Sequence, residues 1–210
     1  VPLLTREEEV SLAVRIDTGR QRICQALGMS AFAVKEIGEI AKRVAAAEIN
    51  PDDVFQTTGE EGEGTEQGIK RKIRALQRRY RELKDLNARY RKLAVRKTVK
   101  PETLEAREVA LRDKVLSLKL DFERIEEIAH RVYAAHQLAA GQTHPDDEAR
   151  PRDELAFSTR SVPEKRAPTE TDIQAVTAET DKDPKTSRRI AELIREGQSI
   201  VHAAKVEMVE

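Results

Sequence analysis

In 210 residues the sequence has one cysteine, no tryptophan and only 3% aromatic side chains. Each shortage removes a class of protein. Cys24 cannot close an internal disulfide and has no thiol neighbour for a metal site, so it is expected as a buried, reduced, inert thiol. No apolar run approaches the roughly 20 residues that cross a bilayer. Val1-Pro2-Leu3-Leu4 is too short and uncharged for a signal peptide, so the expected compartment is the cytoplasm, with no membrane partner. The 38 basic and 38 acidic residues cancel, and overall charge therefore argues for neither nucleic acid nor lipid.

Catalytic signatures are equally sparse. His130, His136, His144 and His202 are the only histidines, and no two stand at the i, i+4 spacing that puts a pair of zinc ligands on one helix face. Glu127-x-x-His130 is half of a di-iron bundle motif, which needs a second copy and two further glutamates. Without them, Glu127 and His130 read as ordinary surface or boundary residues, and His136 as a partly buried core histidine. Gly59, Gly62 and Gly64 lie in an acidic stretch with no GKS or GKT after them, so they cradle no phosphate. No serine or threonine sits in a nucleophile elbow. The reading is of a protein that is not an enzyme, with no cofactor, metal or small-molecule substrate.

What remains is abundant. Charged residues make up 36% and hydrophobic ones 39%, in a mixture rich in Glu, Arg, Lys, Leu and Ala that favours helices. The expected fold is all-α: a helical domain with a long antiparallel helical hairpin and flexible charged loops. Thr5-Arg6-Glu7-Glu8 is a capping box, in which the Thr5 hydroxyl accepts from the Glu8 amide and the Glu8 carboxylate reaches back. Val10, Ala13, Val14, Ile16, Ile23 and Leu27 follow at helical spacing, with Gly19 weakening the middle and Gly28 ending the segment. Ser30 opens a second amphipathic stretch that runs to about Ala47.

Charge is then distributed in blocks. Residues 48–63 carry six acids and no base, which predicts a mobile acidic loop. Residues 64–100 carry fourteen Lys or Arg against Glu66, Glu82 and Asp85, a net +11. Within that basic stretch Ile69, Ile73, Leu76, Tyr80 and Leu83 alternate at steps of four and three, the spacing of a packed seam, to which Tyr80 and Tyr90 are assigned. Pro101 breaks this helix and is placed to start the next. Leu104, Leu111, Leu118, Ile125, Val132 and Ala139 then recur at every seventh position. Two such arms over residues 64–140 predict an antiparallel hairpin, each arm roughly 50 Å long. Residues 141–168 hold four prolines and little periodicity, the pattern of a surface linker. Short helical patterns resume at Thr169 and after Asp183-Pro184.

Two readings of the basic arm stay open. Lys70, Arg71, Lys72, Arg74, Arg78, Arg79 and Arg81 are candidates to contact nucleic acid or an acidic protein surface in a salt-dependent way. The plainer alternative is a solvated face compensated by the acidic loop and by the net −5 of residues 141–183.

Both ends carry a resemblance. Val1-Pro2-Leu3-Leu4-Thr5-Arg6-Glu7-Glu8-Glu9-Val10, followed by Leu12-Ala13-Val14-Arg15-Ile16, resembles the end of region 1.2 of the sigma-70 family. Ala203-Ala204-Lys205-Val206-Glu207-Met208-Val209-Glu210 is similar to the start of region 2.1. The order and the long helical insertion between them match a primary sigma factor, and the resemblance covers about 25 residues directly. It implies residues 1–27 as the end of region 1.2, 28–198 as the non-conserved region and 199–210 as the start of region 2.1. The absence of an initiator Met and the stop inside a helical pattern suggest an excised piece. By the same resemblance the partners would be core RNA polymerase, its β′ subunit above all, and promoter DNA in the full-length protein. The alternative is an independent basic helical module that binds nucleic acid.

Overall fold

A computed structural model describes residues 5–56, 65–96, 98–139 and 168–208. Among the described residues there are seven α-helices and no β-strand, the all-α class expected from composition. They are α1 (Arg6–Met29), α2 (Ala31–Ala45), α3 (Glu66–Ala94), α4 (Pro101–Ser117), α5 (Phe122–Ala139), α6 (Glu170–Lys182) and α7 (Pro184–Glu207). Ile23, Leu27, Ile37, Leu76, Leu83, Leu111, Val132 and Ile194, drawn from six of these helices, are buried in one continuous core.

The start signals act where the sequence puts them. Thr5 closes its capping box with Glu8, and Thr169 closes one with Asp172. Pro101 and Pro184 occupy the first turns of α4 and α7, where a missing N–H leaves nothing unsatisfied. Cys24 is fully buried, and burial pushes its thiol up to about 12. His136 is buried in α5, with Nδ1 2.8 Å from the Ser187 hydroxyl of α7. Removal from water lowers its pKa to about 4.

Between α1 and α2 the chain turns in one residue. Ser30, with extended backbone, caps the end of α1 and the start of α2. Its hydroxyl accepts from the Ala33 amide at 3.3 Å. The other free backbone groups find partners on distant helices. Asn87 of α3 donates to the carbonyls of Gly28 and Met29 at 2.9 Å each, and Glu179 of α6 accepts from the Ala31 amide at 2.8 Å. A carboxylate at a helix N-terminus is favoured by the helix dipole. Burial nonetheless holds the Glu179 carboxyl above its ordinary range, against the lowering pull of the Ala31 amide and Arg91.

The hairpin differs from the expectation for residues 64–140. Its first arm is continuous as α3, about 43 Å long. The returning arm is not one rod: it breaks at residues 118–121 into α4 and α5. Only α4 runs back along α3, with Lys114 paired to Glu82 at 2.7 Å and the Tyr90 hydroxyl donating to Glu108 at 3.1 Å. After the break α5 packs against α1, α2, α6 and α7 instead.

The break is made by Val54 and Phe55, which lie within residues 48–63, the expected acidic loop. Residues 51–53 form a 3₁₀ turn, after which Val54 and Phe55 are buried. Phe55 pairs with Leu120 in an isolated antiparallel bridge. The Gln56 amide donates to the Lys119 carbonyl at 3.0 Å, and the Asp121 amide to the Val54 carbonyl at 2.7 Å. Lys119 adopts a left-handed φ of 54° to make this possible. So residues 48–56 are not the loose loop expected; burial of Val54, Phe55, Leu118 and Leu120 outweighs the strain. Residues 57–63, and all of the expected 141–168 linker before Pro168, lie outside the described residues.

Candidate functional site

Two surfaces bear on function. The first is built by α1 and α7, which run antiparallel: Arg22 pairs with Glu196, and Arg15 with Glu207. Between these pairs Gly19 and Gly197 face each other. A Cβ on Gly19 would stand 2.7 Å from the Gly197 carbonyl oxygen and 2.7 Å from Val201 Cγ2, and one on Gly197 would stand 2.7 Å from the Gly19 carbonyl oxygen. The two backbones touch, and any side chain at either position drives the helices apart. Gly19, expected only to weaken its helix, is a packing residue.

This crossing brings the two resemblance-bearing ends side by side, although roughly 180 residues separate them in sequence. Their outer faces are left bare. Val10 and Val14 are 57% and 60% exposed, and Val206 and Met208 at the same end of the pair are 42% and 52% exposed. Glu7 and Glu9 add charge in the first turn of α1. From Thr5 to Thr18, Leu12 is the only residue classed as buried. The stretch is thus held by its far end and offers most of its surface outward.

The second surface is the outer face of α3. Arg71, Arg74, Arg78, Arg81, Arg89 and Lys92 are all exposed, and steps of three, four and eight keep them within one narrow arc of the helix. Asp85 is the acid interrupting the row. From Arg71 to Lys92 the row spans about 32 Å. Among the described residues none of Arg71, Arg74, Arg78 and Arg81 forms an ion pair. The buried side of the same helix is made by Leu76, Leu83, Asn87 and Tyr90.

The seven predicted contact residues therefore separate. Arg71, Arg74, Arg78 and Arg81 share the outer face, with Lys70 beside them paired to Glu66. Lys72 and Arg79 are half-buried on another side. The Arg79 guanidinium is used internally: it donates to the Ser117 carbonyl at 2.6 Å, satisfying a free carbonyl at the end of α4. Arg89 and Lys92 join the row, and only the helix period could have marked them. Tyr80 and Tyr90 face inward, as their assignment to the seam expects.

Candidates for other chemistry are occupied elsewhere. Glu127 pairs with Arg124 at 2.9 Å. Among the described residues no group of three or more His, Cys, Asp or Glu side chains could hold a metal ion, and no helix is long and apolar enough to cross a membrane.

Comparison with known proteins bears on the first surface. The family model described as Sigma-70 factor, region 1.2 matches residues 1–22. The match covers the exposed first part of α1 and runs on through Gly19 and Arg22, where that helix crosses α7. The matched segment, residues 1–22 of 210, is similar to a region of sigma-70 factors. None of the curated proteins searched matches the chain.

Proposed function

We propose that this chain is a non-catalytic interaction module of a bacterial primary sigma factor, acting in the cytoplasm with core RNA polymerase at promoters. The observation that carries the reading is the region 1.2 match at residues 1–22, on a helix whose outer face is bare. Residues 1–27 are then the end of region 1.2 and residues 199–210 the start of region 2.1. Residues 28–198 form the non-conserved insertion, with the β′ subunit as its expected contact. The glycine crossing of α1 and α7 supports this division, since an insertion whose two ends meet leaves the flanking elements adjacent. Within it, residues 48–63, 64–140 and 141–168 are the acidic segment, the hairpin region and the linker.

The test is transcription from a defined promoter by purified core polymerase, with and without the natural protein that contains this chain. Start-site-specific transcripts are expected only in its presence. Core polymerase that initiates no more specifically with the protein than without it would remove the reading.

A further inference from the structure

We propose that the outer face of α3 binds the phosphate backbone of a nucleic-acid duplex without regard to sequence. This goes beyond the sigma assignment and stands on α3 alone, so either can fail while the other survives. The face carries five arginines and one lysine in a single row, and the guanidinium fork matches phosphate oxygens in paired hydrogen bonds. Its length of about 32 Å is close to one turn of duplex DNA, about 34 Å.

Two negative features of the face select the partner. A docking surface for protein has an apolar, often aromatic centre within a polar rim. No large apolar side chain interrupts this row: Val95, the exposed large hydrophobic nearest to it, lies beyond the end of α3. Single-stranded nucleic acid is held by aromatic platforms on which bases stack. The tyrosines of α3, Tyr80 and Tyr90, are instead packed against or inside the core, so no platform is offered. What remains is positive charge at regular spacing on a rigid rod, which suits a duplex backbone. The far side of α3 is packed against α2 and α4, so the helix lies across the backbone and does not sink into a groove.

Binding of the chain to labelled 30-base-pair DNA and RNA duplexes of arbitrary sequence, titrated at 50 and 200 mM salt, tests this. Six phosphate contacts predict a slope of log affinity against log salt near −5, and so a loss of about a thousandfold between the two conditions. The variant R71A/R74A/R78A/R81A changes exposed positions to the best helix former, and its circular dichroism should match the parent. It should weaken binding at least about a hundredfold at 50 mM and flatten the slope to about −2. The variant K185A/R188A/R189A/R195A removes the same charge from exposed positions of α7 and should bind within about threefold of the parent. Tighter binding to either duplex than to a single strand or to polyglutamate supports the proposal and identifies the natural duplex. Salt-insensitive or absent binding, equal effects of the two variants, or preference for polyglutamate or a single strand overturns it.

Discussion

The junction between α1 and α2, at residues 28–31, is closed by side chains, whereas the one between α4 and α5, at residues 118–121, is closed by main chain. At the first, Asn87 satisfies two carbonyls and Glu179 satisfies an amide. Both residues are more than fifty positions away in sequence. At the second, two backbone hydrogen bonds to residues 54–56 hold the bend, and Arg79 reaches the last free carbonyl. The difference lies in where specificity resides. A side-chain cap is lost with one substitution that leaves polar groups buried and unpaired. A main-chain bridge tolerates most substitutions and depends on the apolar residues that press it into place.

The contrast is broken most severely at Asn87. Replacing it with leucine keeps its branched outline, with somewhat more bulk, but strands the Gly28 and Met29 carbonyls in the core. At about 2 kcal/mol for each buried unpaired group, N87L should lose about 4 kcal/mol, read from urea unfolding midpoints. A loss below about 1 kcal/mol would mean the caps are not what holds the junction. At the second junction the corresponding change is F55A, which removes the side chain pressing on Leu120. Truncation of a buried phenylalanine costs about 3 kcal/mol. Because the hydrogen bonds there are main chain, hydrogen exchange should speed up first at the amides of Gln56 and Asp121. Uniform acceleration across α1 and α2 would deny that the bridge is a local device.

The two junctions also differ in how far they could be read from sequence. Ser30 marks the start of α2, and the capping boxes at Thr5 and Thr169 and the prolines at 101 and 184 mark their helices equally well, whereas Gly28, expected to end α1, lies inside it and packs against Leu111. Residues 118–121 contain neither glycine nor proline. The seven-residue repeat of Leu111, Leu118 and Ile125 runs through the bend without a fault, because counting positions cannot register a change of direction. The cause lies some sixty residues away, in Val54 and Phe55. For the candidate surfaces, the cationic character of α3 was legible in composition, while the inward turn of Arg79 and the enrolment of Arg89 and Lys92 required the orientation of the helix. The meeting of Gly19 with Gly197 is a long-range contact that no local pattern encodes.

The strained backbone at the bend predicts a gain there. Lys119 holds a left-handed φ of 54°, a conformation costing a side-chain-bearing residue about 1–2 kcal/mol. Glycine removes that strain and returns part of the gain as chain entropy in the unfolded state. K119G should therefore stabilise by about 1 kcal/mol or slightly less, visible as a higher melting temperature. A lower one would show that the exposed lysine contributes more than its backbone costs.

The smallest effect separates the charge at the first junction from its hydrogen bond. Glu179 has a folded pKa above its ordinary 4.5 because it is buried. The folded state then holds its proton more tightly, so this residue's contribution falls as pH rises from 4.5 through the folded value. His136 acts in the opposite sense: with a folded pKa of about 4 against 6.5, it raises stability as pH climbs from 4 to 6.5. In the parent protein the two trends oppose each other over the same window. E179Q keeps an oxygen to accept from the Ala31 amide and removes the titration. Unfolding midpoints of E179Q should therefore rise more steeply between pH 4.5 and 6.5 than those of the parent, and at pH 7 the variant should be at least as stable. Parallel pH profiles for the two proteins would mean that the Glu179 carboxylate is not the desolvated group the junction makes of it, leaving Asn87 and Ser30 to hold the turn.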